Sequence, residues 1–261
     1  MRSLSIASTG MLAQQLNVEV ISNNIANMNT TSYKRQRAEF QDLLYQNLRR
    51  VGAASSDAGS IVPSGVQIGV GVKTASIYRI TEQGNLTATE NPLDIAIDGN
   101  GYFKVALPSG EDAYTRAGTF QLSPTGQIVT ADGYVVAPGI SVPPGSTDVS
   151  INSSGEVLVK LDGQSALSNV GQLELDTFAN PAGLELIGDN LIKETPSSGS
   201  ATAGTPGSAG FGSILQGFLE TSNVNPVSEI TTLINAQRAY EMNSKVITTS
   251  DEMMRSITTL R

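Results

Sequence analysis

Residues 4–28 read LSIASTGMLAQQLNVEVISNNIANM, and two interleaved seven-residue rows run through them. Leu4, Met11, Val18 and Ile25 make one row, and Ala7, Gln14, Ile21 and Met28 follow each of them by three. The pattern returns at the other end, where Leu233, Tyr240, Ile247 and Met254 are followed by Ala236, Asn243, Ser250 and Ile257. Residues three, four and seven apart share a helix face, so each end predicts a helix with one stripe to bury on a partner helix. Asn225 is placed to cap the second helix, Pro226 is tolerated in its first turn, and Glu229 is favourable near its N-terminus. Packing on the chain's own core is the commoner outcome of such spacing. Gln14, Asn243 and Ser250 point instead towards an assembly, because polar seam residues fix register and partner number at a cost in stability.

Between the two ends the composition changes. Residues 51–217 hold 25 of the 26 glycines and ten of the 11 prolines, with 6 basic against 16 acidic side chains. Helix breakers confined to the middle predict helix, then a long β and turn region, then helix. There the period falls to two: Leu93 to Ile97 alternates, meets Asp98-Gly99-Asn100-Gly101, and resumes at Tyr102 to Val105, which predicts a hairpin. Thr81–Leu86, Ser123–Ile128 and Asn152–Val157 each set mostly polar residues before Gly, a polar residue and an aliphatic one. Their uneven spacing predicts a recurring hairpin device and no solenoid. Thr195 to Gly212 is almost entirely Ser, Gly, Ala, Thr and Pro, the composition of a flexible connector or surface loop.

The fold class expected is therefore mixed and mainly β. A discontinuous, coiled-coil-like helical domain is assigned to 1–36 and 218–261, and a connecting segment to 37–76. A central all-β domain, barrel- or sandwich-like, follows over 77–194, and a Gly/Ser/Pro-rich connector over 195–217.

The reactive side chains are few. The chain has no His and no Cys, which excludes disulfides, thiolate nucleophiles, zinc fingers and a Ser-His-Asp triad. A net charge of −8 argues against a protein devoted to nucleic acid. Gly69-Val70-Gly71 and Gly99-Asn100-Gly101 lack the third glycine of a dinucleotide fingerprint. No cofactor, metal or catalytic site is assigned. Asp94 and Asp98, four apart on a strand, are the one pair that a carboxylate hydrolase could use, but Asp98 before Gly99 reads as a turn residue. Lys34, Arg35 and Arg37 form the one notable cationic cluster, read as a solvated helix face or a contact with an acidic surface. No apolar run is long enough to span a membrane, and no cleavable secretory signal is recognisable near Arg2.

Several stretches carry a resemblance. Ala7 to Gln15 followed by Ile21 to Arg35 resembles the N-terminal signature of flagellar rod and hook proteins, and Ser222 to Val227 with Gln237 to Asn243 resembles their C-terminal signature. Asp94 to Phe103 and Tyr114 to Phe120 are similar to the family's central motifs, so the likeness spans essentially the whole chain. Phe40 to Gln46, leading to Pro63 through Val72, resembles the extra segment that separates the straight distal rod from the curved hook. Ser32 departs from the Gly many relatives carry there.

The resemblance implies a structural subunit of the distal rod that polymerises into a straight, rigid helical tube. Such a tube transmits torque from motor to hook and forms part of the export channel. A hook or proximal rod protein is the alternative within the family. Leu4, Met11, Val18, Ile21, Ile25, Leu233, Tyr240, Ile247, Met254 and Ile257 then become the candidate polymerisation seam. Tyr45, Pro63, Gly65, Ile68 and Val72 become a rod-stiffening segment packed between subunits. The implied partners are further copies, proximal rod and hook subunits, the surrounding ring proteins and the flagellar type III export apparatus, with neither nucleic acid nor membrane insertion. The implied location is the flagellar basal body, in a rod crossing the periplasm.

Overall fold

The computed structural model describes residues 2–49, 64–162 and 166–259. Of the candidate residues, Pro63 lies outside them. Two helices and a β-rich middle are present, and the described strands close into no barrel. Two compact units share the chain. One collects Met1–Ala26, Gln36–Arg79 and Asn225–Arg261, the other Asn27–Arg35 and Ile80–Val224.

In the first unit, α1 (Arg2–Ala26) packs against α2 (Pro226–Thr259). In the same unit the described residues of 36–79 form a two-stranded antiparallel ribbon. At its base β1 (Gln36–Asp42) pairs with β4 (Val72–Arg79), from Gln36 opposite Arg79 to Asp42 opposite Val72. Farther out β2 (Tyr45–Arg49) pairs with β3 (Val66–Gly69), Tyr45 opposite Gly69. Residues 36–42 are thus strand, so Arg37 stands on an exposed strand position and not on a helix face. Among the described residues no helix is long and apolar enough to cross a membrane.

The second unit is built on an antiparallel seven-stranded sheet. Its order is Glu185–Gly188, Leu191–Lys193, Asp112–Thr115, Phe103–Ala106, Val135–Val136, Ile128–Val129 and Gln121–Leu122. A three-stranded sheet (Ser146–Ile151, Glu156–Leu161, Ser168–Gln172) and three two-stranded pairings complete it. Alternation decides the faces. Phe103 and Val105 point into a fully buried core with Ile95, Ile97, Phe120 and Val157, where the Phe103 and Phe120 rings meet edge to face at 5.1 Å. The opposite face of Asp112–Thr115 gives Tyr114 to a second, smaller core with Phe178, Leu184 and Ile192.

Two local expectations change. Ile95–Asp98 and Phe103–Ala106 do not form a hairpin with each other: the first pairs with Ser213–Gln216 and the second with Asp112–Thr115. The Gly-Asn-Gly turn is real, with Gly99 at φ +109 and Gly101 at φ +144, but the Arg116 guanidinium takes the carbonyls of Ile97, Gly99 and Gly101. The loop curls around that cation, and the two strands enter different sheets.

Thr195–Gly212 is also ordered. Ser198 is buried, its hydroxyl donating to Thr195 O, and Thr202–Gly204 pairs with Leu175–Thr177. The small residues there let a strand lie close to its neighbours: a Cβ on Gly204 would meet the Phe211 ring at 2.4 Å.

The hairpin device recurs more often than the three echoes indicate. In Leu107–Glu111, Ser123–Gln127, Thr130–Tyr134 and Asn152–Glu156 the first N–H reaches the fifth carbonyl, and the glycine at position four returns to the first. Those glycines lie at φ between +81 and +85, which completes a type I turn with a bulge. Gly84 belongs to a different class. A Cβ there would stand 1.9 Å from Thr221 O, so close backbone approach, and no turn, excludes a side chain.

Candidate functional site

The seven-residue rows meet inside one chain. Ala7 and Ile21 on α1, and Ala236 and Ser250 on α2, are buried. Leu4, Met11, Val18, Ile25, Leu233, Ile247 and Met254 are half-buried. Tyr240 and Ile257 are exposed, and Met28 lies past the end of α1 and is exposed too. Small side chains make the closest approach. A Cβ on Gly10 would stand 2.9 Å from the Asn243 amide, and Ser250 Oγ donates to Ser3 Oγ at 3.4 Å. The polar seam residues Asn243 and Ser250 therefore meet α1 of their own chain, which fixes the register of the pair. Many large apolar side chains remain uncovered, among them Leu12 on α1 and Val227, Ile230, Ile234, Met242, Val246 and Met253 on α2.

A knot ties the end of this pair. Asn24 is almost fully buried, its amide donating to Gln36 O at 2.8 Å and to Glu229 Oε2 at 3.2 Å while its Oδ1 accepts Gln36 N–H at 2.8 Å. One side chain thus joins the last turns of α1, the first residue of β1 and the first turn of α2. Asn225 caps α2 as expected, its Oδ1 accepting from Val227 and Ser228 at 3.1 and 3.3 Å. The carboxylate of Glu229 is held where the exposed N–H groups of a helix start favour negative charge.

The ribbon is fastened to α1 through Thr9. Its Oγ1 donates to Ile6 O at 2.8 Å and accepts Val72 N–H at 3.3 Å. Gly71 sits at φ +131, and a Cβ there would come within 2.2 Å of that oxygen. Leu43 N–H donates to Gly71 O at 2.8 Å, closing the ribbon base. Beyond that bond Leu44 is 87% exposed, and Tyr45, Leu48 and Val66 are exposed as well. Of the segment read as rod-stiffening, Ile68 lies opposite Gln46, Gly65 precedes β3 and Val72 opens β4, all half-buried. Asp42, hydrogen-bonded to the Tyr45 hydroxyl, pushes its pKa above the usual tyrosine value.

In the second unit a buried ion triad holds three chain segments. Glu220 is 2% exposed. Lys34 Nζ and Gly84 N–H donate to its Oε1, and Arg116 Nε to its Oε2 at 2.7 Å. Arg116 also donates to Gly101 O, Ile97 O and Gly99 O, while Lys34 also donates to Glu82 O at 2.8 Å. Burial alone would raise the Glu220 carboxyl, but Arg116 and Lys34 outweigh it and hold its pKa below the usual glutamate value. Burial pulls Lys34 below the ordinary lysine value against the attraction of Glu220. Asn223 adds a polar brace: Oδ1 accepts Arg35 N–H at 2.7 Å, and Nδ2 donates to Ile80 O and Glu82 O. Lys34 is thus the contact with an acidic partner, and the partner is Glu220.

Sequence reading missed Asn24, Arg116, Glu220 and Asn223 as structural keys. The available signal was weak: Glu220 is one carboxylate directly after Phe218-Leu219, and Arg116 stands inside the stretch from Tyr114 to Phe120. The candidate acid pair is occupied locally, Asp94 by the Asn91 amide at 3.0 Å and Asp98 by Gln83 at 3.4 Å. Among the described residues no three acidic side chains converge as metal ligands.

Three family models match this chain. A flagella basal body rod protein model covers residues 4–34, the D1 domain of flagellar hook protein FlgE/F/G covers 96–159, and the flagellar basal body rod FlgEFG C-terminal model covers 215–260. The chain is 62% identical, over the full length of both, to a protein of Caulobacter vibrioides named flagellar basal-body rod protein FlgG. Proteins of the same name from Agrobacterium fabrum and Bacillus subtilis are 51% and 41% identical. The first alignment covers 97% of each chain; the second covers 100% of this chain and 99% of the relative.

Proposed function

The chain belongs to the family of flagellar basal-body rod proteins, and from that membership we propose a subunit that polymerises into a straight, rigid tube carrying torque from motor to hook. It is a structural subunit of the distal rod, located in the flagellar basal body, and its family is one of structural rod proteins. The observation that carries this is the 62% identity running from end to end of both chains.

The finer parts of the proposal draw support from the residues. Leu4, Met11, Val18, Ile21 and Ile25 with Leu233, Tyr240, Ile247, Met254 and Ile257 form the polymerisation seam. Ile21 and the half-buried members build the helix pair, and the exposed ones, Tyr240 and Ile257, with Val227, Ile230 and Met242, meet other copies. The ribbon from Tyr45 to Val72 limits bending by lying against a neighbouring subunit, and the exposure of Leu44, Tyr45, Leu48 and Val66 favours that role. Partners in the rod are further copies, proximal rod and hook subunits and the surrounding rings. The subunit reaches its place across the periplasm through the flagellar type III apparatus, and the tube serves as part of the export channel. The chain catalyses nothing in this role.

The test uses the purified full chain under polymerising conditions, viewed by electron microscopy. Straight tubes are expected. Replacing residues 44–70 by an Asn-Gly turn should leave the base of the ribbon folded while the tubes bend or fail to form. Tubes of unchanged straightness would remove the ribbon from the mechanism, and a wild-type chain that never forms tubes would remove the reading itself.

A further inference from the structure

Asn100-Gly101 is the one place in the sequence where glycine follows asparagine. It lies in the turn that curls around Arg116, and three features of that turn bear on its chemistry. Asn100 is exposed, and among the described residues nothing hydrogen-bonds its side-chain amide, which leaves the amide free to rotate. The Gly101 N–H likewise has no acceptor among the described residues, and without a Cβ no side chain shields that nitrogen. Both residues line a cavity of about 520 Å³, bordered also by Lys34, Glu82 and Arg116, which gives water access to them.

The contacts around this peptide favour loss of its proton. Gly212 N–H donates to Asn100 O at 2.7 Å, which draws electron density from the Asn100–Gly101 amide. Arg116 donates to the carbonyls on either side, Gly101 O at 2.7 Å and Gly99 O at 2.6 Å, so a guanidinium stands where negative charge develops. Lys34 and Arg116, both largely buried, share one buried carboxylate, Glu220, and the carboxylate of Glu82 is in solvent. A positive excess therefore lies beside the turn.

We propose that Asn100 is a self-modification site of the folded chain: its side chain cyclises onto the Gly101 nitrogen, and the ring hydrolyses to an aspartyl or isoaspartyl residue. Hydroxide removes the Gly101 N–H proton, and the nitrogen attacks Asn100 Cγ, with both atoms held within one dipeptide. A C–N bond forms, the Cγ–Nδ2 bond breaks, and ammonia leaves with a proton taken from water. Water then opens the five-membered imide. Opening at Cγ gives aspartate. Opening at the main-chain carbonyl gives isoaspartate, in which the chain runs through the former side chain and the α-carboxylate is free. Nothing is oxidised or reduced, and water and hydroxide are the only co-reactants. Either product sets a new carboxylate beside the cationic excess, where its charge is favoured. Isoaspartate also adds one atom to the main chain ahead of Gly101, which draws Gly101 O away from Arg116 and loosens the turn.

The test needs no polymer. The full chain is incubated folded in mildly alkaline buffer, with a second portion unfolded in guanidinium chloride as the reference. Trypsin cutting after Arg79 and Lys104 releases residues 80–104, which contain Asn85, Asn91 and Asn100, and fragment masses locate any change. The folded chain should gain one mass unit at Asn100 with time and none at Asn85 or Asn91. Part of the product should accept label from an isoaspartyl methyltransferase, and an Asn100→Asp chain supplies the aspartyl standard. Asn100→Gln, altered at an exposed side chain, should melt as the wild type and lose the isoaspartyl label. A gain seen only in guanidinium chloride would overturn the proposal, because the fold would then protect the site. Equal gains at Asn85 would overturn it too, as would a product without any isoaspartyl fraction, which marks direct hydrolysis.

Discussion

At the residue scale, the buried triad separates two effects of charge. Glu220 is held by two cations and a backbone N–H, so removing its charge leaves Lys34 and Arg116 buried without their counter-ion. Glu220→Gln should cost about 3 kcal/mol in urea unfolding, whereas a surface pair such as Lys193–Glu111 should cost well under about 1 kcal/mol when broken. The pH dependence follows from the sign of the shift. A carboxyl whose folded pKa is depressed contributes stability above its unfolded value, near about 4.3, and that contribution is lost as pH falls through the lower folded value. The stability of the wild type should therefore fall most steeply between that unfolded value and the lower folded one and level off beneath both, and Glu220→Gln should flatten the profile in that window. None of this was legible in the sequence, because the triad joins residues 104 and 186 positions apart. Local periodicity carries no information about such pairs.

At the element scale, the helix pair and the ribbon each hinge on a glycine. Gly10 faces the Asn243 amide, so Gly10→Ala gains helix propensity of about 1 kcal/mol but must displace that amide. Its stability should change little alone and rise by about that amount when combined with Asn243→Ala, as a double-mutant cycle by thermal melting would read. Gly71→Ala meets both positive φ and the Thr9 hydroxyl, and should lose about 2 kcal/mol. The helices were legible because their apolar rows persist over many turns and Asn225-Pro226 marks a start. The strands between Ile95 and Val105 were recognised but wrongly paired. Gly-Asn-Gly looks locally like a tight turn, and the guanidinium that opens it arrives from Arg116. Likewise, a Ser/Gly-rich composition does not distinguish a mobile connector from small residues packed under a ring, as Gly204 is under Phe211.

At the scale of the whole molecule, the helix pair buries the small side chains Ala7, Ala13, Ala236 and Ser250 beside Val20 and Ile21, and leaves many larger ones in solvent. Helices depend on packing for stability, so both should be weakly held in the free subunit and ordered by polymerisation. Hydrogen exchange comparing monomer with tube should show residues 2–26 and 226–259 exchanging much faster in the monomer than in the tube, and equal protection in the two would defeat this expectation. The ribbon has a different consequence, one of heredity. Leu43 and Gly71 are already joined by a hydrogen bond, and the antiparallel pairing of Asp42 with Val72 lies beneath it. The flanks therefore stand side by side whatever the chain does between them. A single in-frame deletion or duplication beyond that bond can shorten or lengthen the arm and leave both flanks where they were. The arm is thus a trait that a lineage can gain, resize or discard in one mutational step, without renegotiating the rest of the subunit.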